Sequence, residues 1–417
     1  MTHLLALGVE GVTTALTVAG MGYFLAALVA ARVFQHGRRG LGAGFAPGVT
    51  VLKSLKGVDP GMMEAFRSHC RQAYAGEYEL LFGVSTLADP AAAAVEELAR
   101  EFPEQAIRLV ECPERLGTNG KVSTLAQLAP HARYDYLLIN DSDITVSPRY
   151  LERVMRCFVP AAAGAAGAAL GAVAGDATAG AAAGDARAAV APVGMVTALY
   201  RGKAHGTLGS RLEALGIATD FQAGVLLSKM IEGGLRYGLG STLAVSRAAL
   251  EAAGGLLPLV DYLADDNELG VRVARAGYRV ALTDEVVETA VPAYAWKGFA
   301  DHQVRWARTV RDARPGGYAG LIFTHGLMWA ALNVVASGGS LLSLWLLGMS
   351  FFLRLAVAMT VGAGVLGDHE VLPWLWLLPL RDSVEMGVWA AGFAGHEIVW
   401  RGERFELKDG RLHKIGA

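Results

Sequence analysis

The stretch "YDYLLINDSDITVSP" leads an apolar run directly into two carboxylates, Asp141 and Asp143. At the carboxyl end of a strand, where the chain leaves the core, both side chains can point at one ligand. Such a pair suits Mg²⁺ or Mn²⁺, hard cations that take oxygen ligands and often share them with a diphosphate. A polar turn is the alternative, because Asx side chains also stabilise turns. The DxD pattern alone leaves both interpretations open.

Two further acidic sites fit the same kind of chemistry. Asp89 follows another apolar run, "LLFGVSTLADP", and its alternative role is to cap the helix that begins at Pro90. Asp265 and Asp266 open a helix in "DYLADDNELG". Acidic residues are common in a first helical turn because they interact favourably with the helix dipole. Each site therefore has a structural as well as a catalytic interpretation.

A cation and two rings follow later in the chain. In "DHQVRWARTVR", His302, Arg305 and Trp306 are spaced i, i+3 and i+4 and so share one helix face. They lie just before an apolar region, and a solvated charged face explains this grouping less well than a binding function does. Lys121, in "NGKVSTL", is not a P-loop lysine, since Val122 stands where that motif requires Ser or Thr.

The elements that must position these residues alternate in type. Strand patterns occur at 48–55, 78–86, 107–113 and 134–140, and helix patterns at 90–102 and 120–132. This order predicts an α/β domain at 46–315 with a mostly parallel sheet and helices on both faces. Within it, 160–192 is almost wholly Ala and Gly and indicates a low-complexity insertion, whose removal we expect to leave the chemistry intact.

The first 34 residues indicate a membrane anchor. No charged residue occurs from Gly11 to Ala31, which is long enough to cross a hydrocarbon core as a helix. A cleaved signal peptide is the alternative, but the basic residues Arg32, Arg38 and Arg39 come after the apolar run. By the positive-inside rule the rest of the chain then lies in the cytoplasm, which predicts an integral protein of the inner or plasma membrane.

A second apolar region, 316–400, is predicted to hold membrane or interfacial helices. It is uncharged from Gly316 to Leu353, and a turn in "ASGGS" predicts two helices, about 318–336 and 341–364. The run 371–400 contains Arg381, Asp382 and Glu385, so crossing, re-entry and an interfacial position all stay open. A polar tail is predicted for 401–417.

Composition excludes several classes of function. A formal net charge of -2 gives no reason to expect nucleic acid as a partner. Three cysteines without a CxxC spacing indicate reduced thiols rather than a disulfide framework or a zinc site. The first strand turn lacks GxGxxG, which argues against a Rossmann dehydrogenase.

Taken together, the motifs resemble a known family. "LKSLKGVDP" (52–60), Asp89, "DSDITV", "ADD" and the HxxRW of 302–306, in this order and between membrane segments, resemble the ceramide glucosyltransferases and the bacterial hopanoid-associated glycosyltransferases. The resemblance covers roughly 48–315 and extends loosely to "WRGERFEL" (400–407). It implies a GT-A fold with a mixed sheet, flanked by transmembrane helices.

The resemblance also implies roles for individual residues. Asp89 would hold the nucleotide base and ribose, Asp141 and Asp143 would be the DxD pair with Asp143 as the direct Mg²⁺ or Mn²⁺ ligand, and Lys121 would reach the diphosphate. Asp266 would be the general base. Arg305 and Trp306 match the (Q/R)xxRW motif, whereas His302 departs from its first position and would bind a phosphate or an acceptor hydroxyl in a pH-dependent way.

The implied reaction is inverting transfer from a UDP-sugar to a lipid hydroxyl in the bilayer, with glucose and ceramide as the expected pair. Transfer of N-acetylglucosamine to a hopanoid is one alternative. A processive polysaccharide synthase is another, although it should carry more membrane helices and a Gln at the first motif position. A non-enzymatic ion-binding membrane protein would place charges inside the membrane spans. The aspartates of the motifs instead fall between the spans: Asp89, Asp141, Asp143 and Asp266.

Overall fold

The computed structural model describes residues 2–37, 44–159, 191–400 and 403–415. Most of the Ala/Gly-rich insertion lies outside these residues, as do Arg38 and Arg39. The described strands are β1 (Val49–Ser54), β2 (Tyr78–Val84), β3 (Ala106–Glu111), β4 (Tyr136–Ile139), β5 (Ile144–Thr145), β6 (Val193–Ala204), β7 (Leu243–Ser246), β8 (Arg279–Val291), β9 (Glu397–Trp400), β10 (Glu403–Lys408) and β11 (Arg411–Lys414).

The described α-helices are α1 (Thr2–Gly37), α2 (Met62–Cys70), α3 (Pro90–Glu101), α4 (Gly120–Leu128), α5 (Tyr150–Met155), α6 (Leu208–Gly216), α7 (Gln222–Ile231), α8 (Arg247–Ala252), α9 (Asp265–Arg275), α10 (Trp296–Ala313), α11 (Pro315–Gly320), α12 (Gly326–Ala336), α13 (Leu341–Val357) and α14 (Leu378–Gly392). A π-helical segment, Ile217–Phe221, joins α6 to α7.

Eight strands form one mixed sheet in the order β3-β2-β1-β4-β7-β6-β8-β5. The first four in this order are parallel to one another, as the alternating strand and helix patterns predict. Strand β7 runs antiparallel to both β4 and β6, β6 is parallel to β8, and β5 is antiparallel to β8. The sheet is therefore parallel on one side and mixed on the other.

Side chains of the central strands alternate between two hydrophobic cores. On β2, Leu80 and Phe82 enter one core and Leu81 enters the other. On β4, Leu138 faces the first core and Leu137 the second. Because alternate residues of a strand point to opposite faces, the sheet is covered on both sides. This arrangement confirms the predicted α/β fold.

Two described helices are long and apolar enough to cross a membrane, Leu7–Gly37 and Leu341–Val365. The first contains the predicted anchor, and it crosses α12 where Gly20 meets Gly326. A Cβ built on Gly20 would lie 2.3 Å from the Cα of Gly326, so the two helices need small residues at their crossing. Thr13 on α1 also donates to the side-chain oxygen of Asn333 on α12, at 3.0 Å.

The predicted helix at 318–336 is not continuous. Pro315–Thr324 and Gly326–Ala336 are bent by 56° at His325, and only if this pair counts as one span does the number of candidate spans rise to three. The run 371–400 holds α14 and then strand β9. The tail, predicted only as a polar segment, pairs with β9 in a three-stranded antiparallel sheet whose side chains Phe405, Leu407 and Leu412 are buried.

A buried ionic cluster connects the second candidate span to the α/β domain. Arg354 is 1% exposed, and its guanidinium donates three hydrogen bonds to the carboxylate of Asp382, two from Nε and one from Nη2, at 2.9–3.2 Å. It also lies 2.8 Å from Asp220 Oδ1 and donates to the carbonyl and hydroxyl oxygens of Thr219. Asp220 and Thr219 belong to the π-helical segment, so this segment is fixed to the membrane helix.

Replacing Arg354 with Met is expected to destabilise the protein by about 3–5 kcal/mol, because Asp220 and Asp382 then lose the buried cation that contacts both of them. Thermal unfolding in detergent measures the effect. Lys297→Met is the control, since Lys297 pairs with Asp301 at an exposed site and should leave the unfolding midpoint unchanged. An Arg354→Met protein as stable as this control would show that the cluster contributes little to stability.

Candidate active site

Asn140 anchors the point where strand β4 leaves the core. It is 1% exposed, and its Nδ2 donates to the carbonyl of Ser241 at 2.6 Å and to the hydroxyl of Tyr150 at 3.0 Å. Both partners are buried, which satisfies an amide that would otherwise be costly to place there. Asn140 thus fixes the backbone at the end of the strand, directly before the two aspartates of the DxD pair.

Asp143 is held against strand β8. Its Oδ2 accepts hydrogen bonds from the hydroxyl of Thr289 at 2.6 Å and from the backbone N–H of Ala290 at 3.2 Å. Burial raises the pKa of the Asp143 carboxyl, and the nearby charge of Asp141 raises it further, while Thr289 acts in the opposite direction. A cation between the two carboxylates would relieve this repulsion.

Two lysines already lie beside the DxD pair. Lys121 Nζ is 2.8 Å from Asp141 Oδ1 and 3.5 Å from Asp265 Oδ2. Lys53, on β1, is 1% exposed and donates from Nζ to the backbone oxygen of Asp141 at 2.9 Å. Burial lowers the pKa of Lys53 to about 7, against the opposing effect of Asp143 and Asp141. The site therefore combines a pair of carboxylates with two lysine side chains.

Asp266 lies at the same edge of the sheet, at the start of α9. A Cβ built on Gly240 would be 3.2 Å from Asp266 Oδ2 and 3.8 Å from Asp141 Oδ2, so both carboxyl groups lie close to the space that a side chain would fill at this position. The loop around Gly240 is fixed to α9, because the N–H of Gly238 donates to the carbonyl of Asp266 at 3.2 Å. Burial, followed by the charge of Asp265, raises the pKa of Asp266 to about 6, while Lys121 lowers it.

The two aspartates of "ADD" differ in the groups that they contact. Asp265 faces Lys121, and its Oδ1 accepts a hydrogen bond from Asn119 at 3.3 Å. Asp266 instead carries the raised pKa and faces Gly240. Of the two, Asp266 therefore better suits a proton acceptor.

Asp89 makes the capping contact that its sequence position allows. Its side chain accepts from the N–H of Ala91 at 2.9 Å, and both carboxylate oxygens accept from the N–H of Gly57, at 2.9 and 3.1 Å. The loop that carries Gly57 continues to Asp59, whose carboxylate accepts a hydrogen bond from Ser142 of the DxD turn. Asp89 is thus linked to the DxD turn through this loop.

The HxxRW residues lie on α10, next to a carboxylate of α6. His302 Nδ1 is 3.0 Å from Glu213 Oε2, and the ring of Trp306 lies 5.6 Å from the ring of His302. Trp306 is 37% exposed and also packs against Phe221. Strand β8 holds Asp143 through Thr289 and Ala290, and α10 begins only a few residues after the end of that strand.

The sequence patterns did not predict several residues of this site. Lys53 is the one lysine in the otherwise uncharged strand β1, "VTVLKS", and a buried charge there was a usable signal. Tyr200, on β6, is close enough to Asp266, Glu213 and Asp141 for their charges to add to the effect of burial in raising its pKa. Glu213 stands in the ordinary helical sequence "LGSRLEALG", which gives no hint of its partners.

The donor set fits a divalent cation shared with a substrate. Among the described residues no cluster of three or more His, Cys, Asp or Glu side chains could enclose a metal. Two neighbouring carboxylates, Asp141 and Asp143, are nevertheless what Mg²⁺ commonly uses when substrate phosphates complete its coordination. The mutual effect of their charges is consistent with a site that gains from a cation.

A solved structure shares this architecture. The mannosyltransferase PcManGT from Pyrobaculum calidifontis, solved in complex with GDP-Man and Mn²⁺, superimposes with a TM-score of 0.51 over 93% of this chain and 99% of that chain. The two sequences are 20% identical. This likeness confirms the GT-A-like fold.

The relatives found by sequence are ceramide glucosyltransferases. A ceramide glucosyltransferase of Komagataella phaffii is 33% identical over 110 residues, 25% of this chain and 21% of that protein. Ceramide glucosyltransferase 3 of Caenorhabditis elegans is 24% identical over 263 residues, 63% of this chain and 50% of that protein. The matches thus span half or less of these relatives. The model of glycosyl transferase family 21 matches residues 12–184 and 186–413, so the chain belongs to this family.

Proposed function

We propose that the protein is an inverting glycosyltransferase that moves glucose from UDP-glucose to the hydroxyl of ceramide. The observation that carries the proposal is that the carboxyl groups of Asp266 and Asp141 both lie close to the same point at Gly240, with Asp143 of the DxD pair close by. Membership of family 21 and the ceramide glucosyltransferase relatives support the choice of reaction.

Asp266 acts as the general base. Its carboxylate takes the proton of the lipid hydroxyl as that oxygen attacks the anomeric carbon from the side opposite the leaving diphosphate, which inverts the configuration. Its pKa of about 6 keeps most of it ionised at neutral pH and still makes it more basic than an ordinary aspartate. No covalent intermediate is required.

Cationic side chains stabilise the leaving diphosphate. Lys121, on α4, pairs with the carboxylate of Asp141, Lys53, on β1, donates to the backbone oxygen of Asp141, and Arg305 belongs to the motif helix α10. A Mg²⁺ or Mn²⁺ ion held by Asp143 and Asp141 would supply further positive charge to the diphosphate. Asp89 binds the base and ribose of the nucleotide, next to the loop of Gly57 that it already holds.

The lipid acceptor reaches the site from the bilayer. His302 and Trp306 lie on α10, which is followed along the chain by the bent pair of helices, and Trp306 exposes part of its ring. The basic residue Arg32 at the end of the first candidate span favours a cytoplasmic catalytic domain. The protein is then an integral membrane enzyme whose catalytic domain takes UDP-glucose from the cytoplasm.

A transfer assay on detergent-purified protein tests the proposal. UDP-glucose, UDP-galactose and UDP-N-acetylglucosamine are each combined with ceramide, diacylglycerol and a hopanoid polyol in the presence of Mn²⁺ or Mg²⁺, and products are identified by mass spectrometry. We expect glucosylceramide, lost on addition of EDTA. A different sugar–lipid pair would correct the substrates, and a chain that neither forms a product nor binds any UDP-sugar would overturn the proposal.

A further inference from the structure

Glu213 is a buried carboxylate that the reaction described above does not use. It lies on α6, its side chain is 9% exposed, and two side chains of α10 contact its Oε2. His302 Nδ1 is 3.0 Å away, and Gln303 Nε2 donates to the same oxygen at 3.2 Å. One carboxylate thus holds two consecutive residues of the motif helix.

These contacts decide which nitrogen of His302 carries the hydrogen. An ionised carboxylate can only accept, and the oxygen that faces His302 also accepts from Gln303. Nδ1 therefore carries a hydrogen, and the Tyr294 hydroxyl, 3.4 Å from Nδ1, lies on the same side. In the neutral imidazole Nε2 then keeps a free lone pair, and Nε2 makes no hydrogen bond within the described parts of the chain.

The ring of His302 is also fixed in orientation. It stacks on Tyr294, with ring centroids 5.4 Å apart and planes at 26°. The ring centroid of Trp306 lies 5.6 Å from that of His302. The imidazole is 18% exposed, so a ligand can reach it. An acceptor atom is therefore presented in a defined direction from a rigid group.

A row of aromatic rings connects this position to the membrane part of the protein. Trp306 packs on Phe221 at 6.0 Å, and Phe221 packs on Tyr200 at 5.7 Å. Phe221 follows Asp220, which is paired with Arg354 inside the second candidate span. Tyr200 belongs to strand β6 and Phe221 to the π-helical segment. The row therefore runs from the sheet to a segment fixed to a membrane helix, the side from which a lipid acceptor rather than the nucleotide would reach the site.

We propose that Glu213 is a positioning residue for the lipid acceptor. It holds His302 as the Nδ1–H tautomer, so that Nε2 accepts a hydrogen bond from a hydroxyl or amide N–H of the lipid's polar head. This inference rests on the proposed transfer to a lipid. It also gives a reason for a histidine at the first position of the HxxRW motif, since a paired carboxylate makes its free nitrogen a dependable acceptor.

The test compares Glu213→Leu with Glu213→Gln, using UDP-glucose and short-chain ceramide. Leucine removes the acceptor for both α10 side chains, and we expect the KM for ceramide to rise at least about tenfold, a typical cost for losing one oriented hydrogen bond. Glutamine keeps an oxygen for both donors and should stay within about threefold of wild type. The KM for UDP-glucose, and hydrolysis of UDP-glucose without lipid, should change less than about twofold in both variants.

Two histidine variants separate positioning from mere structural support. His302→Phe keeps a ring for stacking but lacks Nε2, and it should raise the ceramide KM as Glu213→Leu does, which also serves if the leucine variant does not fold. In a His302→Gln background, adding Glu213→Leu should change the ceramide KM less than about twofold, because the histidine tautomer no longer exists to be set.

An unchanged ceramide KM in Glu213→Leu or His302→Phe, or an equal effect of Glu213→Leu in the His302→Gln background, would overturn the inference. So would a change in donor KM and hydrolysis parallel to that in acceptor KM. These outcomes are distinct from failure of the proposed function, in which the wild-type protein itself would glycosylate no lipid.

Discussion

Asp266→Asn is expected to lower the rate of sugar transfer by about 10²–10⁴-fold, the usual contribution of a positioned proton acceptor. Asparagine matches aspartate in shape but cannot take the proton of the attacking hydroxyl. The expected loss is in kcat, because Asp266 would act on the reacting proton rather than on ground-state binding. Steady-state kinetics with the substrate pair identified by the transfer assay measure this effect.

Glu268→Gln provides the matched control. Glu268 lies on the same helix, α9, and pairs with Arg272 one turn later. Its replacement removes a carboxylate from the same element and should leave kcat within about twofold of wild type. Full transfer activity in a correctly folded Asp266→Asn protein would show that another group accepts the proton.

The pH profile of the wild-type enzyme gives a second view of the same residue. Because burial and Asp265 raise the pKa of Asp266 to about 6, the active, ionised form predominates above that pH and is lost as the pH falls through it. Transfer should therefore rise with pH through about 6 and level off towards neutrality. In Asp266→Asn this acidic limb should disappear from the residual activity.

The first half of the catalytic domain was predictable because its signals are local. The pattern at 90–102 corresponds to α3 (Pro90–Glu101), whose start is set by the capping contact of Asp89 and by Pro90 in the first turn. Strands predicted at 78–86 and 134–140 appear as β2 and β4. Each depends on residues adjacent in sequence, and tertiary context did not override them.

Other features depend on residues far apart in the chain. The antiparallel position of β7 between β4 and β6 follows from pairing across more than a hundred residues, such as Leu138 with Ala244. No proline near His325 signals the bend in the sequence, and the bend lies where α12 meets α1 at Gly20. Hydropathy, which reports length and composition alone, could not locate this bend.

The residues of the candidate site also divide into those with a local sequence signal and those whose role depends on distant parts of the chain. The carboxylates Asp141, Asp143 and Asp266 were found because each ends a strand or opens a helix, where a short motif is informative. Glu213 could not be found in this way, since its role depends on α6 facing α10 across about ninety residues of sequence. Among the charges that left the run 371–400 undecided, Asp382 joins the buried cluster of Arg354, and Arg381 is buried and pairs with Glu385.

Asp143→Asn is expected to reduce transfer by at least about 100-fold, since a metal ion can supply several kcal/mol of charge stabilisation and each 1.36 kcal/mol changes the rate tenfold. Asparagine can still accept the hydrogen bonds of Thr289 and Ala290, so the turn should keep its shape. Calorimetric titration of Mn²⁺ in the presence of UDP should show binding to the wild type and a marked loss in this variant.

The control for this change is Asp135→Asn. Asp135 pairs with Arg247 near the opposite end of strand β4, where its side chain is 84% exposed, and its loss should alter neither metal binding nor transfer. If Asp143→Asn bound Mn²⁺ and UDP as the wild type does, the DxD pair would not be the metal site. The cationic side chains Lys53 and Lys121, which already touch Asp141, would then have to neutralise the leaving diphosphate without a metal.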